Sequence, residues 1–217
     1  MTSLRAFLIL VVISYASWAH AMPCARDTIA YAQIPGDSAE TYSTVSLPNG
    51  ISVRAGLNAG VGVYEISLLS GDGKGLRKFH PSLPRDEVLM SAACISNGKD
   101  SAILLAFQIG PTGYSGDYYA IYGNQEILVH LARATQARLL IHRGNINEFI
   151  VIEPETPWEG SSDWDFKMYE SYQLTILGHS VIKKGIRKSV GRYNPRTVSD
   201  TPIALDDFAD DLFSPSP

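Results

Sequence analysis

From Val88 to Tyr122 the chain reads VLMSAACISNGKDSAILLAFQIGPTGYSGDYYAIY, three apolar runs cut by Asn97-Gly98 and by Gly110, Pro111, Gly113 and Gly116. Short runs of aliphatic and aromatic residues between turn formers suit a pleated surface, whereas a helix needs an unbroken stretch of about ten residues or more. The stretch predicts three successive strands, with Cys94 in the first. The rest of the chain is read as organised around this segment.

The flanking sequence agrees. Thr41 to Leu47 and Ile51 to Ala55 bracket Pro48-Asn49-Gly50, and Asn-Gly accepts the positive φ values of a tight type I′ hairpin turn. Residues 61–66 alternate in the manner of a strand, and Ser70-Gly-Asp-Gly-Lys-Gly75 follows. That cluster lacks the spacing, the hydroxyl residue after lysine and the helix of a phosphate loop, so it reads as a solvated hairpin loop. Pro81 and Pro84 make an irregular bridge. Glu126 to Ala134 fits a strand or one short helix, and Arg138 to His142 with Glu148 to Glu153 forms another hairpin. Between Asp165 and Ile176 the residues Phe166, Met168, Tyr172, Leu174 and Ile176 share one face of a long strand, or of two joined by a bulge, with Glu170 out of place. No fixed-period repeat is present, so a propeller or solenoid has no support.

Residues 1–21 have the pattern of a removable export leader: Arg5, an apolar run from Ala6 to Ile13, then Ala19-His20-Ala21. The run is shorter than the roughly 20 residues of a spanning helix, which disfavours a membrane anchor, and Pro23 before Cys24 disfavours a lipoprotein. The expectation is a mature chain from Met22, periplasmic or secreted, with no membrane insertion. In an oxidising compartment Cys24 and Cys94, the only two cysteines, are expected to form a disulfide.

With Arg5 and the five tail aspartates set aside, 17 bases face 17 acids, so bulk charge implies neither nucleic acid nor an acidic membrane as partner. Lys183 to Arg196 is basic without an acid, and Ser199 to Pro217 is acidic without a base, so the two blocks are complementary in sign. The expected organisation is a single β-rich domain over 22–198, an antiparallel sandwich or partly closed barrel of about ten strands, and a disordered acidic tail over 199–217.

Candidate sites are few. His80, His130, His142 and His179 make no metal-ligand spacing and read as structural or surface residues, and nothing calls for a cofactor. Ser115 in Gly113-Tyr-Ser-Gly116 lacks the strand-to-helix setting of a nucleophile elbow. Glu153 with Glu155, and Asp163 with Asp165, are spaced as paired carboxylates beside Trp158 and Trp164, a pattern that suits sugar cleavage. Calcium at Asp163 and Asp165 would need a more oxygen-rich loop. Tyr114, Tyr118, Tyr119 and Tyr122 crowd one hairpin with Asp117 beside them, and alternation puts Tyr118 and Tyr122 on one face and Tyr119 on the other. Tyrosine gives rigid contact area, so this group is the candidate binding surface for a protein, or secondarily a glycan. The leading functional expectation is an exported non-enzymatic binding protein, for example an inhibitor or immunity-type protein masking a partner. A cell-envelope glycan hydrolase using the paired carboxylates and a structural envelope component are the rivals.

Overall fold

A computed structural model describes residues 28–31, 42–58, 60–83, 87–109, 115–122, 127–135, 137–141, 145–155, 168–194 and 203–205. These residues form fourteen strands and no helix. The first five are β1 (Thr28–Tyr31), β2 (Tyr42–Ser46), β3 (Ser52–Asn58), β4 (Val63–Leu69) and β5 (Gly75–Phe79). The central run gives β6 (Glu87–Ser96), β7 (Ser101–Ile109) and β8 (Ser115–Tyr122), and β9 (Ile127–Thr135) follows. The last five are β10 (Arg138–Ile141), β11 (Glu148–Pro154), β12 (Tyr169–Leu177), β13 (Ser180–Lys188) and β14 (Ile203–Leu205). The four strands beyond the expected ten are β1, β5, β13 and β14, stretches with no clear apolar alternation in the sequence.

Three sheets result, ordered β1-β6-β7-β8-β9, β13-β12-β11-β10-β14 and β2-β3-β4-β5. Pairing is antiparallel except between β10 and β14. The sheets do not close into a barrel, and the fold is an all-β sandwich of three layers. In the first sheet Ala102, Leu104, Ala106, Tyr118, Ala120 and Tyr122 face a core shared with Leu139, Phe149, Val151, Leu174 and Ile203 of the β10–β14 sheet. Their neighbours in sequence, Ile103, Leu105, Phe107, Tyr119 and Ile121, face a second core shared with Val45, Val53, Ile66 and Leu68 of the β2–β5 sheet. A strand covered on both faces must be apolar at successive positions, which is why residues 102–107 read as a continuous run. The segment that dominates the sequence is the middle layer.

Local chemistry sets the turns. At Pro48-Asn49-Gly50 the Gly50 N–H donates to Leu47 O at 3.0 Å and the Leu47 N–H to Ile51 O at 2.8 Å, with Gly50 at φ 80°. This is a three-residue loop with Pro48 leading and Gly50 left-handed, in place of the two-residue type I′ turn expected, because proline's fixed negative φ starts the turn one residue earlier. Ser70 to Lys74 closes the β4–β5 hairpin as the expected solvated loop, with the Ser70 N–H donating to Lys74 O at 2.9 Å. Glu126 to Ala134 resolves as strand: β9 starts at Ile127. On β12, Tyr172, Leu174 and Ile176 face the core as expected, while Glu170 sits opposite Glu153 on one side and Lys188 on the other. The register shift falls on β13, where Gly185 is left unpaired between Ile186 and Lys184.

Cys94 is fully buried on β6, opposite Thr28 of β1, with the Asn49 side-chain amide 3.4 Å from its sulfur. Cys24, the leader and the bulk of the acidic tail lie outside the described residues. Among the described residues no helix is long and apolar enough to cross a membrane.

Candidate functional site

The tyrosine hairpin takes a different part from the one its composition suggested. Tyr118 and Tyr122 are buried in the core between the first and second sheets. Their hydroxyls donate to Ala137 O at 2.7 Å and Ile146 O at 3.0 Å, so the polar ends are satisfied inside the fold. They are packing residues and present no docking face. Tyr119 points the opposite way, as alternation required, and its ring lies edge-on to Phe107 at 5.8 Å and tilted against His130 at 4.9 Å. Tyr114 lies outside the described residues.

The notable residue of the hairpin is Asp117. Its side chain is 2% exposed, and His130 Nε2 lies 2.9 Å from Oδ1. Arg133 Nε donates to both oxygens at 3.1 Å, and Nη2 donates to Asp117 Oδ2 and, at 3.0 Å, to Glu87 Oε1. The Glu87 side chain is fully buried, whereas those of Arg133 and His130 are 53% and 50% exposed. Two buried carboxyl groups are thus roofed by two half-exposed nitrogen bases.

Strand register explains how these four side chains meet. Asp117 is opposite Arg133, and Tyr119 is opposite His130. Positions 130 and 133 differ by an odd number and would fall on opposite faces of a regular strand. The register slips between Tyr118 and Tyr119, leaving Leu131 as an extra residue on β9, and the resulting bulge turns His130 and Arg133 to the same side. A second slip, at Met90 on β6, lies between Leu89 and Ser91. Gly116 allows the close β7–β8 approach here, since a Cβ on it would stand 2.8 Å from Phe107 O. Tyr64 closes the interior end by donating to Glu87 O at 2.8 Å.

Burial alone would raise the affinity of Asp117 for a proton. Hydrogen bonds from His130, Arg133 and Glu87 outweigh it and hold the carboxyl far below the ordinary carboxylate range. The hydrogen bond to Asp117 pushes the Arg133 guanidinium up. An ionised Asp117 can only accept, so His130 donates from Nε2 and Nδ1 is the ring's remaining polar atom.

Asp117, His130 and Arg133 line an open cleft of about 740 Å³ with Phe79, His80, Pro81, Ser82, Tyr119 and Leu128. The cleft has apolar walls and a hydrogen-bonding floor. Among the described residues no group of three or more His, Cys, Asp or Glu is disposed to hold a metal ion. His80 belongs to the cleft, His179 is exposed at the β12–β13 turn, and His142 lies outside the described residues.

The paired-carboxylate candidates are partly placed. Glu155 is ion-paired with Lys188. Glu153 is half-buried opposite Glu170, and burial first, then Glu170, raises its proton affinity against Lys183 and Tyr172. Asp163 and Asp165 lie outside the described residues, and nothing is described of the Ser115 side chain. Compared with known protein families, curated proteins and solved structures, the chain matches none of them.

Proposed function

We propose that this chain is an exported, non-enzymatic binding protein that captures an acidic side chain of a protein partner in the Arg133–His130 cleft. The observation that carries the reading is the buried Glu87–Asp117 floor, which fixes Arg133 in one pose while leaving half of it open. Pinning a long side chain before the partner arrives removes an ordering cost of about 0.5–1.5 kcal/mol at the moment of binding. What the cluster offers outward is chiefly the N–H groups of Arg133, framed by Phe79, Pro81 and Leu128. Arginine and aromatic anchors in a partly desolvated pocket are the usual energetic centres of protein interfaces.

The test is titration of the protein with short acidic peptides and their amide counterparts, read as chemical-shift changes. Support requires shifts at Arg133 and His130 with the acidic set only, lost in Arg133→Met. Equal shifts from the amide set, or shifts that survive in Arg133→Met, would sink the reading.

Export goes with this proposal. Thr28 pairs with Cys94 and lies four residues after Cys24, a span of up to about 14 Å for extended chain, so a Cys24–Cys94 disulfide is within reach. Intact mass of the protein from its native host is expected to start at Met22 and to lack two hydrogens. The rival glycan-hydrolase reading has one observation in its favour, the raised proton affinity of Glu153, which suits a general acid. Glycan turnover that disappears in Glu153→Gln would promote it.

A further inference from the structure

β13 is an edge strand with a particular composition. Lys183, Lys184, Arg187 and Lys188 lie within it, all exposed, and among the described residues no strand pairs with its outer side. Lysines and a bulge on an edge commonly serve to repel other strands. That account leaves the apolar residues unexplained. Leu177, Ile182, Ile186 and Val190 are exposed at 60%, 37%, 58% and 60%, four large hydrophobics along one hairpin. A surface both basic and apolar fits a partner segment both acidic and apolar, and the chain contains one: Asp206-Asp-Phe-Ala-Asp-Asp-Leu-Phe213.

Register sets the start of this segment far from the β13 of its own molecule. Leu205 on β14 pairs with Ile141, Ile141 with Phe149, Phe149 with Leu174, and Leu174 with Lys183. The segment therefore leaves the sheet on the edge opposite β13, four inter-strand steps or about 19 Å away. An extended chain gains at most about 3.6 Å per residue, so Asp206 and Asp207 reach about 4 and 7 Å, and Asp210 only about 18 Å. Asp206 and Asp207 fall short, and Asp210 and Asp211, at about 18 and 22 Å, arrive only along a fully straight path across the sheet.

We propose that residues 206–213 of one molecule dock on β13 of a second molecule, and that the exchange is reciprocal and closes as a dimer. The aspartates face Lys184 and the other bases of the strand, and Phe208, Leu212 and Phe213 cover the exposed aliphatic residues. A reciprocal contact uses the same two patches on both copies and terminates at two.

The experiment is sedimentation of three full-length proteins. Wild type is expected to be a dimer whose dissociation constant rises tenfold or more between about 0.05 and 0.5 M salt, as solvent-exposed ion pairs are screened. A tail variant with Asp206, Asp207, Asp210 and Asp211 all changed to Lys should be monomeric alone. A strand variant, Lys184→Glu with Arg187→Glu, should also be monomeric alone, and an equimolar mixture of the two should dimerise, because each then offers the charge the other lacks. A monomeric wild type at low salt overturns the proposal, as does a tail variant that remains a dimer. If the strand variant fails to fold, wild type and the tail variant still decide it, since the changed aspartates lie beyond β14.

Discussion

Replacing Arg133 by Met keeps most of the apolar stem and removes the guanidinium, isolating what the cation does for the two carboxyl groups beneath it. Asp117 and Glu87 are 2% and 0% exposed in their side chains, and they receive the Nε and Nη2 hydrogen bonds of Arg133. Breaking a fully buried ion pair costs about 3–5 kcal/mol, whereas an exposed pair contributes about 0–1. Arg133 is 53% exposed and His130 remains on Asp117, so the expected loss lies between these limits, about 2 kcal/mol by urea unfolding near pH 7. The pH dependence has a definite sign. The folded proton affinity of Asp117 is depressed, so its contribution is present above the unfolded value near 3.9 and is lost as pH falls from there through the folded value. Arg133→Met weakens the depression, and the two stability curves should draw together as pH falls below about 4 toward the wild-type folded value. In an Asp117→Asn background the same substitution should cost less than about 1 kcal/mol, since the charge it served is gone. A loss under about 0.5 kcal/mol near neutrality, or a gap that does not narrow in acid, would refute the buried-floor account.

Two further substitutions probe neighbouring features. Gly116→Ala places a Cβ 2.8 Å from Phe107 O, a backbone atom that cannot swing aside, and should cost about 1–3 kcal/mol; an unchanged urea midpoint would show that β7 and β8 can separate there. Glu153→Gln tests a carboxyl whose folded proton affinity is raised by burial, a state whose stability is present below the unfolded value near 4.3 and lost as pH rises through the folded one. The glutamine variant should therefore melt higher than wild type near pH 7 and no higher below about pH 4, and a lower melting temperature near neutrality would count against it.

The middle layer was legible because its strands follow simple rules. Asn97-Gly98 and the glycines after Ile109 break the apolar run near where β6 and β7 end, and alternation placed Tyr118 and Tyr122 opposite Tyr119. The number of layers was not legible, since a strand that reads as apolar throughout states only that both its faces are covered. The role of the tyrosines was misleading for a related reason. A phenol can be a contact surface or a core residue whose hydroxyl finds a carbonyl, and the deciding acceptors, Ala137 O and Ile146 O, lie 19 and 24 residues away.

The cleft stayed hidden because its members are scattered along the chain and because β9 departs from a regular strand. Glu87 and Arg133 are 46 residues apart, so no local spacing joins them. His130 and Arg133 look as if they face opposite ways until the extra residue Leu131 is seen, and period two carries no sign of a bulge. One signal was available. Asp117 stands in Gly-Asp-Tyr-Tyr-Ala-Ile and Arg133 in Ile-Leu-Val-His-Leu-Ala-Arg, charged residues inside the most apolar strands of the chain. A charge in such a place must find an opposite charge or be neutralised, because an isolated buried ion costs far more than a domain can absorb. The two strands are consecutive, so β8 and β9 were the nearest places to look for the pair. An acid and a base that are each improbable alone in a covered sheet become a site when one places them in adjacent strands.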